Sequence, residues 1–181
     1  MRGDPYGRFK GAFGLGSGRY RAGMTHARIR PAAPADVPAV KAVIDAAFGP
    51  YVARIGVVPV PMEADHAANV AAGRVFVAEA PDDEGTGSAE VAGLVVLEPR
   101  ADHLYLDVVA VRPDAQGTGV GRLLLEFAED RARALGLPEI RLYTNAMMWE
   151  NRKIYPKLGY EAVERRVSGP YDRIHYRKRL H

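Results

Sequence analysis

The chain has 181 residues, 48% hydrophobic and 26% charged, with a formal net charge of +3 and no cysteine. That length suffices for one domain with a sizeable core and requires no second. The missing cysteines exclude a disulfide framework, a thiolate metal site and a cysteine nucleophile. No apolar run approaches the roughly 20 residues that span a bilayer, and the first residues lack the apolar core of a secretory signal. The cytoplasm is therefore the expected location, with no membrane partner.

Residues 1–24 carry Arg2, Arg8, Lys10, Arg19 and Arg21 against Asp4 alone, a net of +4, which leaves the other 157 residues at −1. The pI near 9.2 thus belongs to this stretch and not to the body of the chain. Seven glycines and no sustained period predict a flexible, basic leader over residues 1–24. A domain then spans residues 25–181. Nucleic acid is not an expected partner, since an RNA-binding reading would rest on residues 1–23 alone.

After the leader, residues 26–30 read as a first strand. Asp36 can cap a helix whose apolar positions are Val37, Val40, Val43, Ile44, Ala47 and Phe48, with Gly49 and Pro50 stopping it. Residues 51–62 read as a loop or broken helix, and residues 63–72 as a short second helix. Strands follow at 74–80, 89–98 and 103–111, the first two joined by an acidic, glycine-rich turn. A helix leading from the glycine loop runs to Leu135, with an apolar stripe of Val120, Leu123, Leu124, Phe127 and Leu135. Gly136 caps it and Pro138 prevents its continuation. A strand at 140–144, a helix at about 147–158 and closing strands at 160–167 and 171–179 complete the order βααβββαβαββ. This predicts an α/β (α+β) fold with a mixed, largely antiparallel sheet flanked by helices.

The run from Leu104 to Leu125 carries the most information. An apolar strand ends near Val111, Pro113 and Asp114 turn the chain, and Gln116-Gly117-Thr118-Gly119-Val120-Gly121 opens directly into a helix. The first N–H groups of a helix lack intrahelical partners, and its dipole adds positive potential there, so the loop suits phosphate or pyrophosphate. A nucleoside-triphosphatase loop needs Lys and then Ser or Thr after its last glycine, but Arg122 and Leu123 follow Gly121. A dinucleotide fingerprint needs GxGxxG early in a parallel βαβ unit, whereas the spacing here is Gly117-x-Gly119-x-Gly121 after meandering strands.

The loop resembles the GNAT-type N-acetyltransferase superfamily, whose acetyl-CoA signature Gln/Arg-x-x-Gly-x-Gly/Ala is matched by Gln116, Gly119 and Gly121. Val109-Ala110-Val111-Arg112-Pro113 matches the strand end that leads into that loop. Residues 151–160, with Tyr155, Lys157, Gly159 and Tyr160, resemble the family's C-terminal motif Tyr-x-Lys-x-Gly-Phe/Tyr. The likeness extends over residues 27 to about 180 and includes the order of elements.

The resemblance implies a GNAT-like acyl-CoA N-acyltransferase fold and acetyl-CoA as acyl donor. Main-chain N–H groups over Gly117, Thr118, Gly119, Val120 and Gly121 would hold the pyrophosphate, with Gln116, Arg122 and Asn151 beside them. The strand before the loop would splay from the next, so that Val109, Ala110 and Val111 present backbone groups to the pantetheine arm and the acetyl carbonyl. Tyr155 would be the general acid facing the departing sulfur, since a phenol stays protonated at neutral pH. A core tyrosine closing its helix is the plainer reading. The family often has Ala and Asn four and seven residues before this Tyr, where Asn151 and Met148 stand here.

Asp107 is the candidate base. Alternation places His103, Tyr105, Asp107, Val109 and Val111 on one face, and Leu104, Leu106, Val108 and Ala110 on the other. A carboxylate within an apolar strand is costly to bury without a purpose; the alternative is neutralisation by a backbone N–H or by Arg141. Tyr105, Tyr51, Met62 and Asn145 are candidates for the acceptor pocket. Asp65 and His66 either recognise a cationic amine or cap the second helix. Tyr171, Arg173 and His175 complete the pocket or a homodimer edge. His66 and His175 have no evident ligand partners, so no metal is expected. The expected activity is direct acetyl transfer, in a ternary complex, to the primary amine of a small molecule. A protein or peptide acceptor, and a non-catalytic acyl-CoA-binding or sensing module, remain as alternatives.

Overall fold

The computed structural model describes residues 27–80 and 90–181. The leader over residues 1–24 and the turn at 81–88 lie outside the described residues. Among those described, seven strands form one sheet: β1 Arg28–Pro31, β2 Val75–Glu79, β3 Val91–Pro99, β4 Leu104–Val111, β5 Glu139–Asn145, β6 Glu161–Ser168 and β7 Tyr171–Arg179. The helices are α1 Val37–Ile55, α2 His66–Ala71, α3 Val120–Ala134 and α4 Trp149–Lys157. The chain order is the one expected from the sequence. The sheet runs β1-β2-β3-β4-β5-β7-β6, and every neighbouring pair is antiparallel except β4 with β5. No helix among the described residues is long and apolar enough to cross a membrane.

Each face of the sheet buries its own core. Leu104, Leu124, Ile140 and Leu142 lie in the layer beneath α3, and Val40, Ile44, Val77 and Leu94 in the layer beneath α1. Burying such a side chain stabilises by about 1.5–3 kcal/mol, so these two stripes decide how the helices dock. Of the stripe read along α3, Val120, Leu124 and Phe127 are buried and Leu123 packs against the core, but Leu135 is exposed. It lies past the last helical residue, where the chain turns through Gly136 at φ 69°.

Helix α1 departs from the sequence expectation by running through Gly49 and Pro50 to Ile55, and it ends at Gly56 with φ 83°. A proline inside a helix costs about 3 kcal/mol by removing a hydrogen bond and crowding the preceding turn. Pro50 is on the exposed side, while Val40, Val43 and Ile44 anchor one end of the helix. At the other end Arg54 is held by tertiary contacts described below, which propensity alone does not register.

The second departure is in β4. Val96 and Leu97 of β3 are opposite Val108 and Leu106, so Asp107 is an extra residue with no partner. Such a bulge shifts the side-chain alternation by one. Leu104 and Leu106 accordingly join the α3-side core, while Val108 and Ala110 join the α1-side core. The strict alternation read from the sequence had put all four on one face. Val109 and Val111 pack toward the α3 side.

Beyond the bulge, β3, β4 and α3 approach closely at Gly93. A Cβ there would sit 2.8 Å from the Ala110 carbonyl oxygen, 3.0 Å from Leu124 Cδ1 and 3.1 Å from Val120 Cγ1. Since one of those atoms is backbone, Gly93→Ala should destabilise by about 1–3 kcal/mol. Urea unfolding measures this directly, and an unchanged midpoint would remove the packing account.

Candidate functional site

Strands β4 and β5 pair at only two positions, Leu104 with Ile140 and Tyr105 with Arg141. Beyond them β4 stays on β3 as far as Val111, and β5 stays on β7 as far as Asn145. The sheet therefore splits into a V. The V opens into a cavity of about 670 Å³, walled by residues 106–111 of β4, the glycine loop, the ends of β5 and α4, and the C-terminal half of α1.

At one end of the cavity the chain turns from β4 into α3. Gly117 has φ 75° and Gly119, the residue before the helix, has φ 98°; both lie in the left-handed region that a side chain disfavours. A Cβ on either would meet nothing within 4 Å, so the space in front of the loop is open. The Gln116 side-chain amide donates to the Val111 carbonyl at 3.1 Å, and the Thr118 hydroxyl donates to the Ala115 carbonyl at 2.5 Å. These bonds shape the loop. Gln116, Gly117, Gly119, Gly121 and Arg122 line the cavity, whereas Thr118 and Val120 do not. Val120 is committed to the core, so what it and Thr118 can offer a ligand is main-chain N–H. Arg122 donates to Glu126 one turn along α3 at 2.8 Å.

Tyr155 of α4 and Asp107 of β4 both line the cavity. Tyr155 is 5% exposed, and its ring centroid lies 5.3 Å from that of Tyr176 and 5.7 Å from that of Tyr160. Burial pushes its hydroxyl pKa well up, with Tyr176 adding to the effect, so the proton is held firmly. No group among the described residues hydrogen-bonds that hydroxyl. Asn151 pins α4 to β5 by donating to the Thr144 hydroxyl at 3.0 Å, which in turn donates to Met148 Sδ at 3.7 Å. The bulge leaves Asp107 half-buried in the cavity wall. Burial raises its carboxyl pKa, and Glu98 raises it further against the opposing pull of Arg100 and Arg74. Arg141 does not neutralise it, being engaged by Glu139 at 2.5 Å and Asp102 at 3.0 Å.

At the far end a clamp that the sequence does not reveal ties α1 to α4. Arg54 of α1 donates to both carboxylate oxygens of Glu150 on α4 at 2.9 Å, and its guanidinium lies 4.1 Å from the Trp149 ring centroid and 4.9 Å from that of Tyr51. The Tyr171 hydroxyl donates to the Val58 carbonyl at 3.4 Å, tying the segment after α1 to β7. Tyr51, Asn145, Tyr143 and Arg173 line this end. The Asn145 side chain also accepts the Met147 N–H at 2.9 Å, which is turn chemistry. Met62 packs against the α1-side core, and Tyr105 lines a separate cavity of about 310 Å³ with His103 and His175, so neither joins the main site. Asp65 caps α2 by accepting the Ala68 N–H at 2.8 Å. Tyr143 was missed, although its alternation with the buried Ile140 and Leu142 marks it as facing away from the α3-side core.

A family model described as the acetyltransferase (GNAT) domain matches residues 71–162. The chain belongs to this family. The matched span contains the bulge, the glycine loop and Tyr155. Among characterised relatives, a mycothiol acetyltransferase of Jonesia denitrificans is 37% identical over 83 residues, 45% of this chain and 26% of that protein. An IAA acetyltransferase of Azospirillum brasilense is 31% identical over 86 residues, 48% of this chain and 55% of that protein. The alignments thus span about a quarter and about half of those relatives' lengths. The PaiA N-acetyltransferase of Thermoplasma acidophilum, solved in complex with coenzyme A, shares the fold with a TM-score of 0.68 at 18% identity, over 85% of this chain and 99% of that one.

The raised carboxyl at Asp107 has a stability consequence of definite sign. Its folded-state pKa lies above the unfolded value, so ionisation costs stability above the folded pKa, and the cost vanishes once pH falls below the unfolded value. Asp107→Asn should therefore raise Tm near pH 7 by more than it does near pH 3. Thermal melts across that range are the check, and a gain that grew toward acid pH would contradict the burial account.

Proposed function

We propose that this protein transfers an acetyl group from acetyl-CoA to the primary amine of a small molecule, by direct attack in a ternary complex. The observation carrying this reading is that one cavity brings together the glycine loop at the start of α3, the unpaired edge of β4, Tyr155 and Asp107. The residues fit the donor. The first N–H groups of α3 and the loop main chain are directed by helix geometry toward an anion, and Gly117 and Gly119 leave room for it. Backbone groups of Val109, Ala110 and Val111 are the proposed partners of the pantetheine arm, with Gln116 already holding the Val111 carbonyl. Acetyl-CoA supplies the activated acyl carbon; the chain supplies binding, orientation and proton transfer.

Asp107 receives the proton of the acceptor ammonium, directly or through water, which frees the nitrogen lone pair for attack. Tyr155 donates its hydroxyl proton at the sulfur as the C–S bond breaks, so the leaving group departs as a thiol, and the surplus proton on the new amide nitrogen returns to the phenolate, directly or through water. The raised pKa of Tyr155 keeps its hydroxyl proton available at neutral pH. The two ties at the far end, Arg54 to Glu150 and Tyr171 to Val58, favour a small acceptor over an extended chain, which would have to part them.

Tyr155→Phe should lower kcat by about 10²–10³-fold with little change in the KM for acetyl-CoA. Asp107→Asn should give a comparable loss and flatten the acidic limb of the rate profile. Steady-state kinetics on an amine panel test both; tight coenzyme A binding with no turnover on any amine would instead favour a sensing module. Gly119→Glu places bulk and negative charge at the helix start and should weaken coenzyme A binding by about tenfold or more, or 1.4 kcal/mol, in calorimetry. Unchanged affinity would refute the assignment of the loop.

A further inference from the structure

The charges around the cavity are not balanced in place. Arg122 pairs with Glu126 at 2.8 Å, and Glu150 with Arg54 at 2.9 Å. Lys157 is exposed at the end of α4. The two remaining charged side chains in the cavity wall, Asp107 and Arg173, are half-buried, and neither has an ion-pair partner among the described residues.

Arg173 is instead held between two aromatic rings. Its guanidinium lies 4.7 Å from the Tyr143 ring centroid and 4.8 Å from that of Tyr171. Tyr171 is itself fixed to the Val58 carbonyl. Cation–π contacts of this kind orient a guanidinium and supply no counter-charge, leaving N–H donors in a fork that matches an oxyanion. A partly desolvated cation without an anion is an unfavourable arrangement that a ligand can relieve. In the sheet order Asp107 lies on β4 and Arg173 on β7, with Tyr143 on β5 between them. The acceptor end thus presents an acid and a cation on opposite sides of an aromatic ring.

Resting on the acetyl-transfer reading above, we propose that the acceptor is a zwitterion: an amine that also bears a carboxylate or similar oxyanion, with Arg173 as the residue that recognises it. The ammonium is drawn to Asp107 before it gives up its proton, and the oxyanion takes the guanidinium fork of Arg173. Tyr143 forms the floor between the two. An amine without the anion leaves Arg173 without a counter-charge and binds less tightly.

The test is acetyl-CoA turnover on α- and ω-amino acids, aminoalkylphosphonates and the matching neutral carboxamides, with wild type, Arg173→Gln and Arg173→Lys. The anionic acceptors should exceed their carboxamides by at least about tenfold in kcat/KM, a difference of about 1.4 kcal/mol. Arg173→Gln should abolish that ratio through KM while rates on the carboxamides hold, and Arg173→Lys should restore part of it. A merely structural role would lower both series together. A ratio unchanged in Arg173→Gln, or a wild-type preference for carboxamides, overturns the proposal. Calorimetry of N-acetylglycine with the coenzyme-A-loaded protein separates this inference from the reading beneath it. If no amine is turned over but N-acetylglycine binds to wild type and not to Arg173→Gln, the transfer reading fails and the anion site stands. Equal binding to both, or none at millimolar concentration, overturns the anion site.

Discussion

The parting of β4 from β5 after two paired residues is the constraint on which the rest of the structure depends. A strand edge inside a protein is normally paired, because buried peptide groups without partners cost free energy. Here the edge is left open and the two arms of the V are held from outside. β3 holds one arm as far as Val111 and β7 holds the other as far as Asn145. The close approach at Gly93 locks α3 onto the first arm, and the paired Arg177, Lys178 and Arg179 opposite Ile140 and its neighbours lock the second. The cavity is what remains between two well-supported half-sheets.

The bulge at Asp107 follows the same logic on a smaller scale. One extra residue costs a ladder partner and, in exchange, turns a carboxylate into the cavity wall while changing which core the rest of β4 serves. Tyr155 reaches the cavity from α4 through an aromatic cluster with Tyr160 and Tyr176. That cluster is anchored below by Glu129 of α3, which accepts from Lys178 at 2.7 Å and from the Tyr160 hydroxyl at 3.4 Å. The proposed acid is therefore placed by packing and the proposed base by backbone irregularity.

Most ion pairs elsewhere are solvent-exposed and contribute at most about 1 kcal/mol each, so they do not hold the fold. Their significance is one of allocation. Arg141 is occupied by Glu139 and Asp102, and Arg112 by Glu90 and Asp114. Arg54 is occupied by Glu150 at the far end of the cavity. Arg100 and Arg74, whose charges do act on Asp107, are both committed to Glu98.

The sequence by itself determined the order of elements, the glycine loop opening into α3 and Tyr155 near the end of α4, because periodicity, glycine placement and short motifs are local properties. It could not fix the bulge, since LYLDVVAV alternates well enough to pass for a regular strand, and only pairing with β3 shows Asp107 to be the extra residue. Nor could it carry α1 through Pro50, since the helix is held there by Arg54 meeting Glu150, 96 residues away. Tyr143 looked like an ordinary strand residue, and Arg173 was open between the pocket and a dimer edge, until β5 and β7 were laid side by side at the open end of the V. What the tertiary structure alone decided is which charges share a cavity without sharing a bond, because that depends on the distance between strands far apart in the chain.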